Sequence, residues 1–501
     1  MYITPKYLYN ALRNVFVSHK LGVFLCCKTK IHQTMKITKV FKFFLLCFFL
    51  LALLAISFPD KGVSVAGKEL RFATLHKVLV GHHGEKKVEA VVSSLNTEEL
   101  QNTEDTLEYY RTLLTSESSH LWLPKSDYGY FDHFFDAASK AYENGVTLRV
   151  LHYGDSQIEM DRMSCCLRDT LQRLFGGGGI GMIPLIQTVN SMSFSQKCEG
   201  NVSCISTWGG KQQMGANGTF GPMLRSWHVN SKAVATLRCT SSKSASHRLK
   251  QFSKVKVLYN NHGGRLSVVL NGLDDGSILR KETEREGIGV MEWALDSASA
   301  VKVEICGNAD ICGFLVDDCG GVAVDNMAMR GSSGTKFTMV DSVELSNCFN
   351  KINVGMIVLQ FGGNAVPSLN GEKSIDMYCN KIKCQIEYLK NIAPQATFLF
   401  VGPSDMSTKV GGEYGSYVWL SMLVEKLRAT VLSQGVAYWS MFDAMGGEGS
   451  MVDWVSQGYA GRDYVHFTSK GSMIMGGELG RIMSLCYRYY SLKSRLNGIK
   501  R

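Results

Sequence analysis

Val146-Thr147-Leu148-Arg149-Val150-Leu151 is a run of apolar and β-branched residues that reads as a buried strand. It runs straight into His152-Tyr153-Gly154-Asp155-Ser156-Gln157-Ile158-Glu159, and a helix-like segment follows from Met160 to Phe175. A serine at a strand-to-helix turn sits at the carboxyl edge of a sheet, where its hydroxyl is exposed and its own N–H points into the same space. That setting suits a nucleophile. It equally suits a plain helix N-cap made by Asp155 or Ser156, with no chemistry attached.

The far end of the chain bears on the choice. Arg462-Asp463-Tyr464-Val465-His466-Phe467-Thr468 places an acid three residues before a histidine. A neutral hydroxyl needs a base to take its proton, and that histidine needs an acceptor to fix its tautomer. Between the two ends lie Asp325-Asn326-Met327-Ala328-Met329-Arg330-Gly331 and Leu359-Gln360-Phe361-Gly362-Gly363-Asn364, each after an apolar run, as loops after strands would be.

Four segments in this order resemble the SGNH hydrolases, also called GDSL-type esterases. They are Gly154-Asp155-Ser156, the span Asn326 to Gly331, Gly362-Gly363-Asn364, and Asp463 with His466. Gln157 stands where leucine is usual, and Ala365 follows Asn364 where many members have Asp. The resemblance implies Ser156 as nucleophile, His466 as general base and then acid, and Asp463 as its orienter. It implies an oxyanion hole made by the Ser156 N–H, the Gly331 N–H and the Asn364 side-chain amide. Preorganised donors of this kind can each contribute roughly 3 kcal/mol to a tetrahedral transition state. The implied fold is α/β, a flavodoxin-like three-layer core. The run Leu167-Arg168, Leu171-Gln172 and the glycines after Phe175 resemble a branch of peptidoglycan O-acetylesterases with an inserted β-domain.

Charge narrows the partners. The chain carries +10, but residues 1–58 hold eight Lys or Arg and no acid, so the remainder is 10 − 8 = +2. That leaves no large nucleic-acid footprint. The basic segment precedes the apolar run Phe43 to Ile56, with Lys36, Lys39 and Lys42 as a positive flank. It reads as a secretory signal or short amino-terminal membrane anchor, with Met35 as a possible start and Ser64-Val65-Ala66 as a cleavage end. The implied location is exported: periplasmic, cell-envelope or membrane-anchored. Export permits disulfides, and Cys198 with Cys204, or pairs among Cys306, Cys312 and Cys319, are close enough in sequence for small loops. Cys165 and Cys166 read as buried helix thiols. No Cys-x-x-Cys pair occurs and the histidines are scattered, so neither a metal site nor a cofactor is expected.

The expected organisation is a basic amino terminus over 1–58, a polar tether with some helix over 59–125, core over 126–186, a β-rich insert over 187–324 and core again over 325–495. The insert shows short alternating runs, Val255 to Tyr259, Arg265 to Leu270 and Val301 to Ile305, separated by turns at Asn271-Gly272 and Gly307-Asn308. This spacing suggests an inserted β-sandwich. Trp208, Trp227 and Trp293 within it could stack on sugar rings, or could be core. Later strands are expected at Val354 to Leu359, Thr397 to Val401 and Val436 to Ser440. Asp405 and Asp443, just past strands, rival Asp463. The functional expectation is a serine-dependent carbohydrate O-acetylesterase acting on an acetylated glycan such as peptidoglycan. The alternatives are an O-acetyltransferase or a lipase-like acylhydrolase on the same residues, or an inactive glycan-binding protein.

Overall fold

Apolar runs without alternation need cover on both faces, and the sheet that holds them here is covered on both sides. The computed structural model describes residue 49 and residues 63–65, 68–70, 102–208, 219–243 and 245–499. Residues up to Glu98 form one unit and Glu99–Arg501 another. In the first, Val63–Val65 pairs antiparallel with Lys68–Leu70. The expected basic and apolar amino-terminal segment lies outside the described residues, apart from the helical residue 49. Among the described residues, no helix is long and apolar enough to cross a membrane.

The second unit begins with α1 (102–115), β1 (Leu121–Trp122), α2 (Asp132–Ala141), β2 (Thr147–Gly154) and α3 (Ser164–Phe175). Eight strands follow: β3 (Gly179–Ile183), β4 (Phe194–Ser206), β5 (Arg225–Cys239), β6 (Phe252–Asn261), β7 (Leu266–Gly272), β8 (Ile278–Thr283), β9 (Gly287–Ala298) and β10 (Ala300–Asp317). The chain then returns through β11 (Gly321–Ala328), α4 (Ser342–Ile352), β12 (Val354–Gln360), α5 (Glu372–Ile392) and β13 (Thr397–Val401). It ends with the hairpin β14 (Ser407–Val410) and β15 (Glu413–Ser416), then α6 (Leu420–Ser433), β16 (Ala437–Trp439), α7 (Met441–Ala444), α8 (Ser450–Ser456) and α9 (Ser469–Ile499).

The central sheet has the order β11-β2-β12-β13-β16-β1, parallel except for the edge strand β1. Alternate residues divide its faces. Val150, Met356, Val358 and Val401 pack with Phe134, Phe135, Leu167 and Leu479 of α2, α3 and α9. Leu151, Tyr153, Ile357 and Phe400 pack with Leu345, Ile382 and Leu427 of α4, α5 and α6. This is the expected three-layer α/β core. The carboxyl ends of its five parallel strands share one side, which is where Ser156 sits.

The insert is one large antiparallel sheet organised by β10. Ala300–Ile311 pairs with β5, Val301–Cys306 with β7 on the opposite edge, and Ala309–Asp317 with β6. The strand changes partner at Gly307, whose φ is 149°. The expected turn at Gly307-Asn308 is therefore a point inside a continuous strand. Glycine suits that position because side chains rarely adopt this φ, and a Cβ would also stand tight against the Arg265 carbonyl oxygen, at 3.1 Å. β3 also joins this sheet, ahead of the expected boundary at 187.

The glycine run after α3 has a related cause. At Gly177 a Cβ would lie 2.5 Å from the Val322 oxygen, and at Gly179 it would lie 2.2 Å from the Val316 oxygen. These residues let the backbone press against the returning chain. Arg149, fully buried on β2, pairs with Asp317 at the end of the insert and with Asp325 on β11 at 2.8 Å. A buried guanidinium flanked by two carboxylates ties the insert's exit to the core.

The suggested disulfides are corrected. Every described cysteine is a free thiol. Cys198 and Cys204 lie on the single strand β4, and Cys306 and Cys312 on β10. Six residues along a strand span roughly 20 Å, far beyond the reach of a disulfide.

Candidate active site

β2 ends at Gly154, where the next residues must turn sharply. A Cβ on Gly154 would fall 2.9 Å from the Ile158 side chain. After Ser156 the chain passes through Met160 and Asp161, both with φ of 64°. Two successive non-glycine residues in the left-handed region cost free energy and need outside support. Arg168 supplies it: its guanidinium binds both Asp161 oxygens, at 2.6 and 3.0 Å, and the Val324 carbonyl at 2.8 Å. Helix α3 therefore starts at Ser164 rather than at Met160.

Ser156, Asp463 and His466 come together. Ser156 Oγ lies 2.8 Å from His466 Nε2, and His466 Nδ1 lies 2.8 Å from Asp463 Oδ2. The carboxylate accepts from Nδ1–H, which leaves Nε2 as the acceptor for the serine hydroxyl. Asp463 Oδ1 also accepts from the N–H groups of Val465 and His466, each at 3.0 Å. Burial pushes the Asp463 carboxyl up, but these hydrogen bonds more than offset it and hold the group below its ordinary value. It is thus an anion at neutral pH.

Ser156, Asn364, Gly363 and His466 line one cavity of about 150 Å³. The Asn364 amide donates to Asp155 Oδ2 and to the Ser332 carbonyl, both at 3.1 Å. To serve an oxyanion it must exchange one of these partners. Gly331 does not line this cavity; it is exposed, with φ of 76°. Its neighbour Ser332 touches Asn364. Asn326 has a different place again: its amide holds the Ile158 carbonyl and Ser164 Oγ, each at 2.8 Å. Ser164 donates in turn to His152 Nδ1 at 2.9 Å, and His152 Nε2 meets Gln360 Oε1 at 3.1 Å. Burial lowers His152 to about 4, so this chain beneath the serine turn is neutral.

The two rival acids are committed elsewhere. Asp405 accepts from Ser416 Oγ at 2.6 Å and the Met451 N–H at 2.9 Å, and Asp443 faces Arg428 at 3.9 Å. The three tryptophans are also placed otherwise than as open stacking platforms. Trp208, Trp227 and Trp293 are 8%, 2% and 4% exposed and belong to the core. Trp208 and Trp227 border a cavity of about 120 Å³ beside Glu159 and Asn326, and the Arg225 guanidinium covers the Trp208 ring at 4.4 Å.

Two residues with no role in the sequence reading join the serine turn to the histidine loop. Gln157 donates to the Val465 carbonyl at 2.7 Å and accepts from the Phe467 N–H at 3.2 Å, gripping the backbone on both sides of His466. Arg162 donates to the Ser156 carbonyl at 2.7 Å and the Phe467 carbonyl at 2.9 Å. Tyr464, next to Asp463, stacks on Tyr414 of the β14–β15 hairpin with centroids 3.6 Å apart.

No cluster of metal ligands was expected, yet His228, His262 and Asp310 meet in the insert, their ligand atoms within 4.8 Å of one another. Each Asp310 oxygen already accepts from one imidazole at 2.8 Å, which accounts for the cluster by hydrogen bonding alone.

No family model and no curated protein matches the sequence. Among solved structures, a peptidoglycan O-acetylesterase superposes with a TM-score of 0.59 at 20% identity, covering 74% of this chain and 99% of that one. A putative GDSL-like lipase from Parabacteroides merdae gives a TM-score of 0.26 at 11% identity, covering 33% of this chain and 73% of its own. A family two carbohydrate esterase from Cellvibrio japonicus gives 0.23 at 10% identity, covering 59% of this chain and 99% of its own. At such identities the first likeness is one of fold alone: over 74% of its length the chain shares the fold of that peptidoglycan O-acetylesterase.

Proposed function

We propose that the protein is a serine-dependent O-acetylesterase that removes acetyl groups from a glycan, with peptidoglycan as the first candidate. The observation that carries this reading is the relay from Ser156 Oγ to His466 Nε2 and from His466 Nδ1 to Asp463 Oδ2, each step 2.8 Å. Its fold likeness to a peptidoglycan O-acetylesterase over nearly that whole chain supports the choice of substrate class.

The chemistry follows from the geometry. Ser156 Oγ attacks the ester carbonyl as His466 Nε2 takes its proton. Asp463 stabilises the resulting imidazolium through the Nδ1–H bond. The negative carbonyl oxygen is met by the Ser156 N–H and by the Asn364 amide, once that amide releases Asp155 or Ser332. Gly331 is the third donor in this reading, brought in by movement of the loop that Ser332 anchors. His466 then protonates the leaving sugar alkoxide. Water, activated by the same histidine, attacks the acetyl-enzyme and frees acetate. The small cavity beside Ser156 fits a short acyl group better than a long chain. The insert, read as a sandwich folded from its single sheet, would hold the glycan. The amino-terminal segment would carry the protein to the cell envelope.

The test is hydrolysis of short and long chromogenic acyl esters and of O-acetylated peptidoglycan by the purified protein. Acetyl ester turnover exceeding octanoyl turnover, with acetate released from the polymer, supports the proposal. Absence of turnover on every ester would leave only a glycan-binding role and refute it.

A further inference from the structure

Helix α3 follows the Ser156 turn, and helix α9 begins at Ser469, just after His466. The two helices approach closely because α9 presents glycines to α3. A Cβ on Gly476 would lie 3.0 Å from Cys166 Cβ, and one on Gly480 would lie 2.5 Å from Thr170 Oγ1. Three residues before Gly476, on the same side of α9, stands Met473. Its sulfur reaches across to Cys165 and Cys166 in the first turn of α3.

The three sulfurs form a nearly equilateral triangle. Cys165 Sγ and Cys166 Sγ are 4.0 Å apart, Cys165 Sγ and Met473 Sδ 3.9 Å, and Cys166 Sγ and Met473 Sδ 3.5 Å. A three-coordinate ion with metal–sulfur bonds of roughly 2.3 Å sets its sulfurs about 4.0 Å apart. Side chains of adjacent helical residues ordinarily diverge, so the convergence of Cys165 and Cys166 on one methionine is a specific arrangement. All three residues line an open cavity of about 950 Å³ with Asp169, Arg173 and Ser193, so an ion can enter from solvent. Neither thiol is fully buried, which corrects the sequence reading, and Met473 is 49% exposed.

We propose that Cys165, Cys166 and Met473 form a three-coordinate site for a soft monovalent metal ion, Cu(I). Two thiolates and a thioether select a soft ion over zinc, which prefers four ligands, and over the hard ions that take oxygen. A bound ion would cross-link the helix behind Ser156 to the helix behind His466, so binding should stiffen the pairing of these two segments.

The experiment titrates the full-length protein with Cu(I) under nitrogen, against a chromophoric Cu(I) chelator strong enough to strip isolated thiols. Wild type should retain one equivalent, and its X-ray absorption should fit three sulfur neighbours. Met473→Leu keeps size and helix propensity at a half-exposed position, so it should fold. It should weaken binding at least tenfold and leave two sulfur neighbours. Cys166→Ser should abolish retention. One equivalent should raise the thermal midpoint of wild type and not of Met473→Leu. Failure of wild type to retain copper, nitrogen or oxygen neighbours in its absorption, or wild-type affinity in Met473→Leu would each overturn the proposal.

Discussion

Replacing Gln157 by leucine, the residue usual at this position in the resembled family, should damage this protein. Gln157 is 7% exposed and grips the backbone on both sides of His466, at the Val465 carbonyl and the Phe467 N–H. Leucine fills similar volume but pairs with neither group. Each buried unpaired backbone group costs roughly 1–3 kcal/mol. The extra apolar side-chain surface returns about 1 kcal/mol. The net loss is therefore about 1–5 kcal/mol of folding stability. Catalysis should suffer separately. Arg162 still holds the Phe467 carbonyl, so the loop stays in place but loosens. A displacement of about 1 Å between nucleophile and base can cost about 100-fold in rate. Urea unfolding should show the stability loss, and hydrolysis of a small acetyl ester should show kcat falling about 10- to 100-fold while KM changes little. A leucine variant within about 0.5 kcal/mol of wild type in stability and equal in kcat would refute the clamp.

Other outcomes follow from the same geometry. Ser156→Ala should fold normally and lose ester hydrolysis by several orders of magnitude, leaving what binding and the oxyanion donors supply; near-normal turnover by a folded variant would count against it. Burial raises Asp155 from its ordinary 3.8 to about 6, so the folded protein holds this proton to higher pH than the unfolded chain. Its contribution to stability is therefore present below about pH 4 and is lost as pH rises to about 6, by roughly 3 kcal/mol in all. Asp155→Asn should remove that slope from stability curves measured across this window, and an unchanged slope would contradict it. Trp227→Ala should destabilise by about 3–5 kcal/mol, as expected for a fully buried core ring; chemical denaturation measures it, and a stable variant with a selective defect on polymer would instead point to a sugar contact. Treatment with EDTA should leave esterase activity intact, because the proposed mechanism activates Ser156 through His466 and not through a metal; activity lost to the chelator and restored by a divalent ion would overturn this.

The parts legible in the sequence were those with short-range signatures. The buried strands of the core announced themselves as unbroken apolar runs, and Thr397 to Val401 falls where expected. Ser156 was marked by its strand and turn, and His466 by its fixed offset from Asp463. Contacts between residues far apart were not legible. Gln157 acts through backbone groups 308 and 310 residues away, and those groups carry no sequence signal. The convergence of Met473 on Cys165 and Cys166 depends on glycines in a helix, which local propensity marks only as weak points. Gly307 read as a turn because glycine usually punctuates strands; here it serves a change of pairing partner within one strand. The tryptophans of the insert could be read either as core or as sugar contacts, and their burial places them in the core.

The central claim is that Ser156 carries the acetyl group during turnover. Rapid acid quench of the protein with a chromogenic acetyl ester, followed by peptide mass spectrometry, tests it directly. The account predicts a single acetyl adduct on the peptide containing Ser156, which appears before steady state and is absent from Ser156→Ala. Hydrolysis that proceeds without any adduct on that peptide, and equally well in Ser156→Ala, would contradict it.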